Sequence, residues 1–364
     1  MNRGSLSLLC LIALLCGTLT RAHAVQYRVR YLALPAGLTG GTARAINDGG
    51  MIGGYAHDAA GNYHGLLWDT DGSVTDFGML PGSKTTEVRA ITSAGWLVGA
   101  SYWVYDGPPY VQTRAFAWRR ESGFVDLPLP SGAMTSSAYG ANDQGVIAGG
   151  VSGYYPSTIP ALWTLGASTP PVLLSGLTGP AYDVNNRGDV LVDDVVRTPD
   201  GILRQLIPLP GYAYSRGARM NNAGQVVGYS YDAGNNSAIT LWDADGRPTR
   251  LSQDGWSYIN VIDINDVGQV VGMYLDGTHG HSFFYDPAAG SQEFTVPGAR
   301  YVEARGMNNQ GIIVGDLEDL ATGQYRLAAF EPVPEPCTVL SLLAGLGCLA
   351  GRSAKRYLSS KRVA

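Results

Sequence analysis

A turn-forming unit that recurs seven times restricts what this chain can become. One full copy reads Asp263-Ile-Asn-Asp-Val-Gly-Gln-Val-Val-Gly-Met-Tyr274. Its core is Asn, a second polar residue, any residue, Gly, any residue, two mostly apolar residues and a final Gly. That core occupies 47–54, 142–149, 221–228, 265–272 and 308–315, with eroded copies at 92–99, which begins with Thr92, and at 185–192, which ends in Val192. Successive copies start 45, 50, 43, 36, 44 and 43 residues apart, a quasi-period that marks a repeat architecture. The Asn side chain can accept a hydrogen bond from backbone two residues on, and Gly three positions later supplies the positive φ that closes a tight reversal. The apolar pair after it, such as Val226-Val227 or Ile312-Ile313, suits a strand entering a buried sheet.

The other parts of each repeat follow in a constant order. A strand typified by Gly65-Leu-Leu-Trp68 or Ile239-Thr-Leu-Trp242 leads to a polar hairpin such as Asp69-Thr-Asp-Gly72, and then to a strand ending near Leu-Pro-Gly. With the strand before the Asn, each repeat holds four. The predicted fold class is all-β: a seven-bladed β-propeller of four-stranded antiparallel blades over residues 25–330. The seventh repeat lacks its last strand, while the body opens with an unpartnered strand at 27–34. Closure of the ring by that N-terminal strand removes the free edges that an open β-solenoid, the alternative, would leave.

The two ends read differently. Residues 1–24 combine Arg3, an apolar run at 6–15 and Ala22-His23-Ala24, the pattern of a cleavable secretory signal peptide. A retained membrane anchor is the competing reading, but the run is short of the ~20 residues that a spanning helix needs. In the tail, 331–364, Val333-Pro334-Glu335-Pro336 precedes an apolar stretch at 337–351, expected to be a short hydrophobic helix, and a basic stop of Arg352, Lys355 and Arg356. Fifteen helical residues span ~22 Å against a ~30 Å hydrocarbon core, which suits transient membrane association. All four cysteines lie in these ends, so the body holds neither a disulfide framework nor a thiolate zinc site. Once the ends are removed, the body carries 18 Lys and Arg against 28 Asp and Glu. That balance argues against nucleic acid as a partner.

Candidate binding residues fall into two sets. Loops on the face opposite the Asn turns collect aromatic residues, among them Tyr102, Trp103 and Tyr155, which can stack on sugars or a protein partner or simply line the rim. Three positions before the turn Asn, on the innermost strands, stand Arg44, Arg89 and Arg305, on consecutive blades once the ring closes. They can hold an anionic ligand through paired N–H donors, or pair with Glu87 and Glu303 two residues upstream. Catalytic signals are thin. No nucleophile elbow, phosphate loop or dinucleotide fingerprint is present; no catalytic residue, cofactor or metal site is assigned, and the chain is expected not to be an enzyme.

Pro-Glu-Pro, hydrophobic stretch and basic stop in this order resemble the PEP-CTERM sorting signal. The body, through Ile-Asn-x-x-Gly, His281-Ser-Phe283, His64-Gly-Leu66 and Leu-Pro-Gly, resembles the extracellular HAF-repeat family over roughly 40–330. These resemblances imply an exported protein of a Gram-negative-type envelope, transiently associated with the inner membrane. They also imply an exosortase-type membrane protease as partner, and a destination on the outer surface or in the extracellular matrix. Exopolysaccharide or another surface protein is the expected binding partner. The expected role is a non-enzymatic binding or structural module; the alternative is a carbohydrate-active enzyme on a propeller scaffold, for which Asp183 and Asp263 on the inner strands are the only hints.

Overall fold

The computed structural model describes residues 26–104, 111–153, 158–277 and 279–333. The signal segment, Tyr155 and the tail beyond Val333, including Pro334, Glu335, Pro336, the expected helix, Arg352, Lys355 and Arg356, lie outside the described residues. Contacts divide the chain into two compact units, 29–331 and a second made of 1–28 with 332–364.

The described residues form 28 β-strands and no helix. Four sheets have four consecutive strands each, starting with Thr135–Ala141, Ala181–Val184, Tyr214–Met220 and Ser257–Ile264. A fifth four-stranded sheet orders Ala299–Met307, Ile313–Asp319 and Tyr325–Pro332, with Tyr27–Tyr31 as its outer strand. The N-terminal strand thus completes the last repeat, as the missing fourth strand of that repeat foretold. The sixth sheet departs from expectation because it has eight strands. Its two antiparallel runs of four, beginning at Thr39–Ile46 and Thr85–Ile91, are joined by one parallel pair, Tyr63 with Thr85.

The Asn turns form as the composition requires, with a stronger lock than expected. Each turn residue from Asn47 to Asn308, Thr92 included, donates its backbone N–H to the carbonyl four residues on. In all six Asn turns the side-chain Oδ1 accepts the return N–H from that same residue, at 2.9–3.0 Å. The bond expected from two residues on appears at Asn185 and Asn308. The motif's first Gly takes φ between 73° and 85°.

The final Gly of the motif has a different cause. On every innermost strand the register slips at the residue three before the turn, so Arg44, Arg89, Tyr139, Tyr182, Ala218, Ile262 and Arg305 are all bulge residues. Such a bulge presses its backbone onto the neighbouring strand. A Cβ at Gly54, Gly99, Gly149, Gly228 or Gly315 would lie 1.9–2.2 Å from the carbonyl oxygen of the bulged strand. These glycines are absent side chains that let two backbones approach.

Hydrophobic clusters lie between adjacent sheets. Trp242 and Val226 pack with Leu191, Val196 and Leu206 of the preceding sheet. Trp68, Ile52 and Leu66 pack with Leu32, Val314 and Leu327, which ties the first repeat to the last. Three indoles also hook the preceding Leu-Pro segment. Trp68 donates Nε1–H to Ala33, Trp163 to Pro128 and Trp242 to Ile207, each 35 residues back, at 2.6–2.9 Å.

The turns are also tied to each other. Asn Nδ2 donates to the backbone carbonyl of the next turn in six steps: Asn142 to Asn185, Asn221, Asn265, Asn308, Asn47 and then Thr92, at 2.8–3.3 Å. The step from Thr92 to Asn142 has no such donor among the described residues, but Ser93 N–H bonds Asp143 Oδ1 at 2.9 Å and closes the circuit. Thr92→Asn is therefore expected to add the missing bond and raise stability by about 1 kcal/mol, the net worth of one buried hydrogen bond. A urea midpoint that rises at constant slope checks it; an unchanged or lower midpoint refutes the latch.

Candidate functional site

The bulges decide where the inner side chains go. Arg44, Arg89 and Arg305 come together on a shared central space, and Arg219 joins them. These four border two cavities, one of about 220 Å³ toward the Asn turns and one of about 250 Å³ beside Tyr182, Tyr229 and Asn260. The guanidinium layer is shared by both.

Arg219 escapes the position rule because it lies one residue after the bulge. Its column holds Asp183, Arg219 and Asp263 on successive repeats, an alternation of charge that is visible in the sequence once the bulge is known. Both acids are engaged by backbone. Asp183 accepts from Val184 and Met220, and Asp263 from Ile264 and Met307, at 2.9–3.0 Å, so each bridges its strand to an inner strand further along. Burial raises both carboxyls above their ordinary range, against the pull of Arg219; Asp263 is pushed up to about 6.

The arginines are unequally neutralised. Arg305 meets Glu303 at 2.5 Å and Asp316 at 3.4 Å. Arg89 stands 3.5 Å from Glu87, donates to the Tyr102 hydroxyl at 2.8 Å and lies over the Tyr139 ring. The intrastrand pairing with Glu87 and Glu303 and the convergence on the channel thus both occur. Arg44 has no hydrogen bond or ion pair among the described residues. Its pKa is lowered by burial and, against Tyr55, by the guanidiniums of Arg305, Arg219 and Arg89.

The aromatic set behaves differently. Tyr102 is an Arg89 support; burial raises its pKa. Trp103 is not part of the layer and packs near Gly82 of the Leu-Pro-Gly segment. Tyr55, His57 and Tyr63 stack on one another, as do Tyr214 with Tyr231 and Trp256 with Tyr274. These rings serve mostly as cross-strand pairs. His281 lies between Glu293 and Asp276, and His64 between Asp76 and Asp58. The two acids at each histidine sit on opposite ring nitrogens, and among the described residues no three such side chains are placed to hold one metal ion.

No protein-family model matches the chain, and no curated protein matches it. Among solved structures, the β-propeller domain of the Trilobed protease from Pyrococcus furiosus aligns with a TM-score of 0.55 at 8% identity, over 85% of this chain and 96% of that one. The fold is a β-propeller. Pyrococcus horikoshii acylaminoacyl peptidase gives 0.54 at 10% identity, over 83% of this chain and 53% of that one. Prolyl oligopeptidase B from Galerina marginata gives 0.51 at 12%, over 83% and 52%. The propeller spans about half the length of these two peptidases. Identities this low establish the fold alone. The expectation that the chain is not an enzyme is withdrawn, since the solved chains it matches in shape are parts of peptidases; the likeness assigns this chain no activity.

Proposed function

We propose that this propeller binds an anionic ligand at the Arg44–Arg89–Arg219–Arg305 layer, and that the ligand is a carboxylate-bearing sugar of an acidic polysaccharide. The observation that carries the reading is Arg44, a half-buried guanidinium with three others around it and no side-chain hydrogen bond or ion pair of its own among the described residues. A cation crowded by like charges is favoured by an anion beside it, and a carboxylate brought by a ligand supplies both opposite charge and hydrogen-bond acceptors. Cavities of about 220 and 250 Å³ on either side admit one sugar ring each.

Seven equivalent turns, seven bulges and the circuit of turn-to-turn bonds support counting the eight-stranded sheet as two blades, hence a seven-bladed propeller. On the same reading the chain is exported by its leader and sorted through Val333-Pro334-Glu335-Pro336 and the basic stop by an exosortase-type membrane protease. It then acts at the outer surface or in the matrix, beside exopolysaccharide. The support for this destination is the sequence resemblance.

Titration of the full chain with oligogalacturonate is expected to give salt-sensitive binding, and neutral galacto-oligosaccharide none. Arg44→Gln should weaken oligogalacturonate binding tenfold or more, corresponding to about 1.4 kcal/mol. Equal binding of the neutral sugar, or an affinity that Arg44→Gln leaves unchanged, removes the proposal.

A further inference from the structure

A third cavity lies beside the sheet that holds the strand Tyr27–Tyr31. It measures about 510 Å³. Its walls are Leu32, Leu34 and Leu327, its rim carries Tyr31 and Tyr325, and Glu303 and Asp316 complete it. Tyr325 is 70% exposed, so the rim is open to solvent.

The two acids face each other directly across the ladder between Ala299–Met307 and Ile313–Asp319, a placement that brings side chains on one face within contact. Between them stands one cation, Arg305, with Nη2 on Glu303 and Nε 3.4 Å from Asp316 Oδ2. Asp316 is 9% exposed, and its Oδ1 is fully buried with no hydrogen-bond partner. Two carboxylates therefore share one guanidinium, and one buried oxygen is left over. Such an arrangement is expensive in a low-dielectric setting unless a further donor or cation arrives.

We propose that this cavity binds a primary alkylammonium ion, with Asp316 as its counter-ion and the leucine walls around its aliphatic stem. Three N–H donors on a compact cation suit the unpaired lone pairs of the buried Oδ1 and the neighbouring Glu303. The Tyr31 and Tyr325 rings can take part through their faces at the rim; Arg326 already lies over the Tyr31 ring at 4.9 Å. A neutral sugar would satisfy the orphan oxygen but leave the charge deficit in place. Burial, reinforced by Glu303, pushes the Asp316 carboxyl up to about 7, against Arg305 and Arg44. The ammonium thus needs a carboxylate that ionises only near neutral pH. The groups that set this titration are Glu303 and Arg305 from one neighbouring strand and Arg44 from another; Tyr301 is also coupled to Asp316, and Tyr325 and Arg326 line the same cavity.

Such an ammonium is either free or carried on a lysine side chain, and two probes separate these sources: n-butylammonium and Nα-acetyl-lysine amide. Each is titrated into the full chain by calorimetry, with n-butanol as the neutral control. Expected are saturable binding of at least one ammonium probe at pH 8 and about tenfold weaker binding at pH 6, as the ionised fraction of Asp316 falls. n-Butanol should bind at least tenfold more weakly, and Asp316→Asn should lose the binding. The tighter probe identifies the source. Should Asp316→Asn fail to fold, the pH dependence and the butanol comparison in the unaltered protein decide. Ammonium binding no tighter than n-butanol, or equally strong at pH 6 and pH 8, or retained in a folded Asp316→Asn protein, overturns the proposal, as does no binding of either ammonium probe at pH 8.

Discussion

Trp242→Ala is expected to lower the unfolding free energy by about 3–5 kcal/mol, the range for deleting a large buried aromatic side chain. Trp242 is fully buried against Leu191, Val196 and Leu206 of the preceding sheet, and its Nε1–H donates to the Ile207 carbonyl at 2.6 Å. The mutation therefore opens a cavity between two sheets and unhooks the segment before Leu209-Pro210-Gly211. Trp242→Phe separates the contributions. It keeps most of the volume and loses only the hydrogen bond, for about 1–2 kcal/mol including the smaller ring. Urea unfolding of both variants measures the difference; equal losses would mean that the indole hook, and not the packing, dominates.

Asn308→Ala carries the second large effect, about 2–4 kcal/mol, although only a few atoms are removed. Asn308 is 3% exposed. Its Nδ2 donates to the Asn47 carbonyl at 3.2 Å, and its Oδ1 accepts from Gln310 and Ile312 at 3.1 and 3.0 Å. Alanine leaves buried backbone groups without partners, and each such group costs about 1–3 kcal/mol. This Asn is also the link from the last turn to the first, across 261 residues of sequence. Asn308→Asp keeps the acceptor but loses the donor, and it places a carboxylate where burial opposes ionisation, so it should not restore stability at neutral pH. Thermal unfolding of the two variants tests this; a loss below about 1 kcal/mol for Asn308→Ala would show that the turn-to-turn bond contributes little.

The inner-strand arginines show how far a column of aligned residues can be read. Arg44, Arg89 and Arg305 share one place in the repeat, and that place proves to be the bulge, where a side chain is re-aimed. Arg219 belongs with them in space but stands in the next column, so alignment alone passes over it. Asp183 and Asp263 looked like chemistry on the inner strands, yet their oxygens are engaged by the backbone N–H groups of Val184, Met220, Ile264 and Met307. The aromatic residues expected in loops, Tyr102 and Trp103 among them, lie in strands; they were legible as a cluster but not as stacked pairs, because stacking depends on which residue lies opposite in register. Asp316 had no signal at all: its unusual state comes from Glu303 across the ladder and from leucines far along the chain.

By itself the sequence determined the all-β class, the order of four strands per repeat, the sites of the reversals and the need for the N-terminal strand at the other end. These follow from local rules, since Asn and Gly set turns and alternating apolar residues set strands. Only the tertiary structure decided what the repeated Asn and the final Gly do beyond their own turn. The Asn side chain reaches the next turn's carbonyl, and the Gly gives way to the carbonyl of a bulged neighbour. Both are contacts between segments whose distance is set by closing the circuit, which no residue encodes alone. For the same physical reason the four-arginine layer and the Asp316 cavity exist only once the strands are assembled.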